Sequence, residues 1–172
     1  IYKTVAEYMK KHKACILALN PGSIQIQREK HVLYQLIKQT TVLFVNLEEA
    51  RHLTHERKLE IHHLITRLWK LGAKQVIITD SVNGSYGFNG TDLYHCKAFP
   101  AKLKEATGAG DAFATGYMGA TLSGLPMADA LAWGAVNAAS SVEHVGPQKG
   151  LLTDTQIKAR LKKKPSFKSK LI

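Results

Sequence analysis

Cysteine is nearly missing: the 172 residues hold two, Cys15 and Cys96. Neither has metal or redox spacing, which argues against a disulfide framework and fits free thiols in a reducing, cytoplasmic setting. No apolar run approaches the roughly 20 residues that span a bilayer, and no secretory leader opens the chain, so no membrane partner is expected. Acid is scarce, 13 Asp and Glu against 24 Lys and Arg, for a net charge of +11. That imbalance would suit a nucleic acid, but seven of the cations fall between Lys158 and the end, where no acid occurs. A solvated, partly disordered basic end accounts for them, and no aromatic ladder or nucleic-acid motif supports the other reading. There is no Walker A run, and Gly108-Ala109-Gly110 lacks the third glycine of a dinucleotide fingerprint. The pairs His52/His55 and His62/His63 have no third ligand at useful spacing and read as surface or half-buried histidines rather than zinc ligands. Ser140-Ser141 has no base nearby in sequence and reads as helix packing.

What is present is enough chain for one domain with a core. In order, residues 2–12 read as a helix with Val5, Tyr8 and Met9 on one face, and 14–19 as an apolar strand buried on both sides. The strand ends at Asn20-Pro21-Gly22. A helix over 28–38 carries Val32, Leu33, Leu36 and Ile37, and Val42–Val45 is a second buried strand running into Asn46-Leu47-Glu48-Glu49. Two helices follow (48–53 and 56–71), the second with Leu59, His63, Leu64 and Leu68 near one face and Gly72 as its C′ residue. Val76–Thr79 is a third buried strand. Asn83-Gly84 and Asn89-Gly90 then punctuate 85–88 and 93–99, an antiparallel hairpin at a sheet edge. Helices over 109–123 and 127–143 follow, with Gly116, Gly119 and Ala120 leaving room for close packing, and a last helix covers 154–163. The alternation predicts an α/β fold of three layers, a mainly parallel sheet with helices on both faces plus the edge hairpin. Ligands of such sheets bind beyond the carboxyl ends of the strands, where Asn20, Asn46, Glu49 and Thr79 fall.

The chain is organised around Ala106-Thr107-Gly108-Ala109-Gly110-Asp111-Ala112-Phe113. Gly-Ala-Gly lets a ligand approach the backbone, and the first turn of the helix that follows offers unpaired N–H donors at the positive end of its dipole. Asp111 is out of place in an anion site unless it has another task, such as taking a proton from a hydroxyl that attacks a phosphoryl group held there. The plainer alternative is a glycine-rich helix start with an ordinary first-turn acid.

Four elements in register resemble the ribokinase-like (PfkB) sugar and nucleoside kinases. Thr107 to Phe113 is similar to that family's C-terminal signature, and Asn46-Leu47-Glu48-Glu49 to its Asn-x-x-Glu element. Thr79 with Gly84 resembles its nucleotide turn, and Gly146-Pro147-Gln148-Lys149-Gly150-Leu151 its loop near the adenine. The resemblance implies a kinase passing the γ-phosphoryl of ATP to a sugar hydroxyl. Asp111 would be the base, with the amides of Gly108, Ala109 and Gly110 as the anion hole. Asn46 and Glu49 would hold Mg²⁺ through waters, and Thr79, Gly84, Thr107, Asn137 and Gly146 would line the nucleotide. Taken alone, Asn46 and Glu49 also read as a helix cap and its capping-box partner. The alternatives are a nucleoside kinase of the adenosine type and a catalytically silent nucleotide-binding fragment acting as an interaction module. The substrate is a small sugar or nucleoside in either kinase reading, and a homodimer is left open.

Three departures qualify the resemblance. Glu105-Ala106 stands where the family has Asp-Thr, which puts a K⁺ site in question, although the longer Glu105 retains some reach. Ser81 stands where the nucleotide turn has glycine. The acceptor-binding first half of the family is not represented, and the chain starts at Ile1 rather than Met. Residues 1–157 therefore read as the ATP-side portion of such a kinase and 158–172 as a basic helix end and tail, with little or no turnover expected of this segment alone.

Overall fold

The computed structural model describes residues 1–28, 30–56 and 60–172, which form two compact units. One is Ile1–Thr79 with Gly87–Leu93; the other is Asp80–Tyr86 with Tyr94–Ile172. The first unit runs α1 (Tyr2–Lys11), β1 (Ala18–Leu19), α2 (Ser23–Arg28), α3 (Lys30–Ile37), β2 (Val42–Asn46), α4 (Leu47–Thr54), α5 (Ile61–Trp69) and β3 (Gln75–Thr79). Its three strands are parallel and in register, Ala18 beside Val42, Val42 beside Gln75 and Asn46 beside Thr79.

In β2 the residues Val42 to Val45 are all buried, as are Val76 to Ile78 in β3. Successive side chains of a strand point to opposite faces, so an unbroken buried run means that both faces are covered. The α/β reading with helices on both faces therefore holds for these strands. The expected strand over 14–19 is different: only Ala18–Leu19 pairs, only Leu19 is buried, and Cys15 and Ile16 are exposed. Among the described residues its strand neighbour is β2, so the apolar run has lateral support on one side there.

Helix faces depart from expectation in instructive places. The buried residues of α1 are Ala6 and Met9; Tyr8 is 53% exposed and stacks on His12 at 3.8 Å. α2 was not expected, because its single buried residue, Ile26, produces no period. In α5 the core face is Leu64, Ile65 and Leu68, with His63 in solvent. Glu29 of the expected span 28–38, and residues 57–59 of the expected span 56–71, Leu59 among them, lie outside the described residues. Gly72 sits two positions past the α5 cap Lys70 rather than next to it, at φ +118°.

The second unit begins with a 3₁₀ turn, Ser81–Asn83. β4 (Ser85–Phe88) and β5 (Leu93–Cys96) follow, with Gly87, Phe88 and Leu93 counted in the first unit; they are sheet neighbours joined by a short loop, as the hairpin reading predicts. Then come α6 (Ala109–Leu122), α7 (Met127–Val142), α8 (Asp154–Lys162) and β6 (Lys170–Leu171). The basic end is more ordered than its composition suggests. β6 pairs antiparallel with β5 (Tyr94 beside Leu171, His95 beside Lys170), so β5 is not a bare sheet edge. Just before it, Phe167 meets Phe99 edge-on at 4.9 Å and Ser169 Oγ donates to Ala128 O at 2.7 Å.

α6 and α7 pack closely because small residues face each other. A Cβ on Gly116 would lie 2.9 Å from both Asn137 Cβ and Trp133 O, and one on Gly134 would strike the Phe113 ring at 2.9 Å. Gly119, also assigned to this contact from sequence, is exposed with nothing within 4 Å of its Cβ position. Tyr117 and Ala120 are fully buried on α6, and burial holds the Tyr117 phenol far above its ordinary range. Among the described residues, no helix is long and apolar enough to cross a membrane.

Candidate active site

In the first unit the polar residues gather at the carboxyl ends of the strands. Asn20 follows β1, Asn46 closes β2, and Thr79 closes β3 beside it. Asn46 is the N-cap of α4 in a complete capping box. Its Oδ1 accepts from Glu49 N at 2.8 Å, and Glu49 Oε2 accepts from Asn46 N at 3.0 Å. The capping reading of this pair is thus realised. Glu49 is buried, and its second oxygen, Oε1, accepts from Ser23 Oγ at 3.2 Å. Ser23 lies 26 residues away, so no local pattern could have named it. Among the described residues, no group of three His, Cys, Asp or Glu could hold a metal.

In the second unit, Asp80 N donates to Gly84 O at 2.8 Å and Gly84 N to Ser81 O at 3.1 Å, closing a tight turn. Gly84 takes φ +99°, and a Cβ there would come within 2.0 Å of Cys96 O. Ser81, at the position where the resemblance expects glycine, takes φ +49°. A left-handed serine costs about 1 kcal/mol. Ser81→Gly is therefore expected to raise stability by up to about that amount, less the entropy glycine adds to the unfolded chain, as a thermal melt would show. His95, not singled out from sequence, braces this turn: its Nε2 donates to Asn83 O at 2.9 Å while its ring stacks on Tyr86 at 4.7 Å.

The start of α6 is the part richest in chemistry. Gly108 caps the helix in the left-handed region (φ +81°, ψ 0°), where its missing Cβ would sit 2.6 Å from Pro147 Cβ. The three amides assigned to an anion hole are not equivalent. Ala109 N donates to Ala106 O at 3.1 Å, a partner within the chain. The N–H groups of Gly108 and Gly110 have no acceptor among the described residues. Nothing lies within 4 Å of a Cβ built on Gly110, so the turn is open there. Asp111 is exposed in the same first turn.

Two other assigned residues have internal partners. Asn137 is buried, its Nδ2 donating to Ala112 O at 2.7 Å and its Oδ1 accepting from Leu152 N at 2.9 Å. Its amide ties α7 to α6 and to the chain before α8. Gly146 takes φ +92° and its N–H donates to Glu105 Oε2 at 2.9 Å. That bond and a second from Thr107 hold the Glu105 carboxyl below the ordinary carboxylate range.

Residues 1–154 match the pfkB family carbohydrate kinases. The chain belongs to that family. It is 28% identical over 149 residues to a nucleoside kinase of Methanocaldococcus jannaschii, covering 86% of this chain and 48% of that protein. It is 24% identical over 156 residues to a 5-dehydro-2-deoxygluconokinase of Bacillus subtilis, with 88% and 48% covered. The crystal structure of the M. jannaschii protein, an archaeal member of the ribokinase family, superposes with a TM-score of 0.74 over 86% of this chain and 48% of that one. The Arabidopsis thaliana ribokinase, solved with ribose and ATP, has a TM-score of 0.81 at 24% identity, with 94% and 52% covered. The α/β fold is accordingly ribokinase-like. The chain spans about half the length of the curated relatives it matches.

Proposed function

We propose that this chain supplies the nucleotide-handling chemistry of a kinase that transfers the γ-phosphoryl group of ATP to a hydroxyl of a sugar. The observation that carries the reading is Gly110. It needs no positive φ and meets no neighbour, so alanine there would suit the helix better by about 1 kcal/mol. A glycine that neither backbone geometry nor packing requires, beside an N–H without an internal acceptor, suits close approach of an anion. Phosphoryl transfer asks a protein mainly for positioning and charge neutralisation. In this reading the Gly108 and Gly110 amides stabilise the transferring group, and Asp111 accepts the proton of the attacking hydroxyl. Thr107, Thr79 and the Gly84 turn contribute to nucleotide binding.

Asn46 and Glu49 are hard oxygen donors of the kind Mg²⁺ takes. The capping box engages the Asn46 oxygen and Glu49 Oε2, and Ser23 engages Glu49 Oε1, so they fit water-mediated holding of the ion rather than direct ligation. Bound Mg²⁺ would neutralise phosphate charge. A role for K⁺ rests on Glu105, whose carboxylate already has protein partners.

A nucleoside acceptor is the second reading, favoured by the likeness to the M. jannaschii nucleoside kinase. The test is ADP release by the complete protein, supplied with Mg²⁺ and ATP and a panel of hexoses, pentoses and nucleosides. Turnover with one class assigns the acceptor. ATP binding without turnover on any member would favour the silent nucleotide-binding module.

A further inference from the structure

Residues 144–149 form a loop that is mostly exposed, with Val145 66% exposed. Its own short-range bonds lie at its ends, His144 N to Ser141 O and Leu151 N to Gln148 O. Across to the segment that leads into α6 it makes two contacts. Gly108, in its left-handed conformation, sits against Pro147, and the Gly146 N–H reaches Glu105 Oε2 at 2.9 Å. The segment itself is anchored from behind, Lys104 N and Glu105 N both donating to Val142 O at 2.8 and 3.3 Å. Nothing lies within 4 Å of a Cβ on Gly146, so packing on that side does not hold the loop tip.

We propose that Glu105 is a positioning residue: its carboxylate clips the Gly146 loop to the segment that enters the Thr107–Gly108 turn and thereby sets the affinity of that turn for nucleotide. The second half of the proposal rests on the nucleotide reading above; the first does not. Side-chain length matters, because the carboxylate must reach an amide 41 residues away. Aspartate, one methylene shorter, keeps the charge and loses the reach. Glutamine loses the charge and keeps the bond, since its carbonyl accepts from Gly146 N.

The experiment compares Glu105→Ala, Glu105→Asp and Glu105→Gln in the 172-residue chain, reading Gly146 amide exchange by NMR and Mg²⁺–ATP affinity by titration calorimetry. Alanine and aspartate are expected to speed Gly146 exchange by about tenfold and weaken ATP binding by about fivefold, with glutamine close to wild type on both. Unchanged exchange in Glu105→Ala overturns the clip. Glutamine behaving like alanine also overturns it, by making charge rather than reach the active property. Faster exchange with unchanged ATP affinity overturns the link to nucleotide. A wild-type chain that binds no ATP defeats the nucleotide reading and the affinity half with it, while Gly146 exchange still decides the clip.

Discussion

Asp111→Asn in the complete protein is expected to lower kcat by roughly 10²- to 10⁴-fold, the usual contribution of a general base, while ATP affinity holds or improves. Asparagine matches the carboxylate in shape but cannot accept a proton near neutral pH, so the loss should fall on the chemical step. Removing a negative charge from the first turn of α6 also removes repulsion of the incoming phosphates. Residue 111 is exposed, and the substitution is close to isosteric. Steady-state kinetics with a matched thermal melt would check this. A variant with wild-type kcat would remove Asp111 from the chemistry and leave the α6 turn as a binding element alone. Gly110→Ala is the companion: a chain at least as stable as wild type, with transfer impaired because the new methyl occupies the open side of the turn.

The largest effect on stability is expected from Gly84→Ala. Two penalties coincide there. The backbone, at φ +99° and ψ −135°, occupies a region that L-residues rarely enter, and the added Cβ would meet Cys96 O at 2.0 Å and Lys97 C and Ala98 N at 2.8 Å. All three atoms are backbone, so no side-chain rotation gives relief. Strain and overpacking together suggest a loss of about 4 kcal/mol, which for a chain of this size lowers the melting temperature by about 10 °C. Calorimetry on the purified variant would read it directly, and a shift below about 2 °C would mean that the turn and the end of β5 separate at little cost. Ser81→Gly, three residues earlier, should act in the opposite direction, since the same turn asks for a positive φ at both positions.

The elements legible in the sequence are those whose cause is local. β2 and β3 announce themselves as unbroken apolar runs, and α6 and α7 as small-residue helices separated by Gly124-Leu125-Pro126, each with bounds within a residue or so of the expectation. The capping box at Asn46 is a three-residue relation and could be read as such. Illegible features depend on distant neighbours. The Ala14–Leu17 run is as apolar as β2, yet it stays outside β1 because strand burial needs support on both sides. Tyr8 fits the α1 period and still faces solvent, while Gly119 resembles Gly116 but meets nothing.

The same division runs through the candidate site. Residue type and spacing were enough to pick out the glycine turn and the acid beside it, since glycine's freedom and the polarity of a helix start are properties of a few consecutive residues, while the family rested on the resemblance of four motifs. Only the folded chain decided which amides remain available, that Asn137 bonds Ala112 and Leu152, and that Glu105 reaches Gly146. Hydrogen bonds are short and directional, so their assignment waits until residues tens of positions apart are brought within 3 Å.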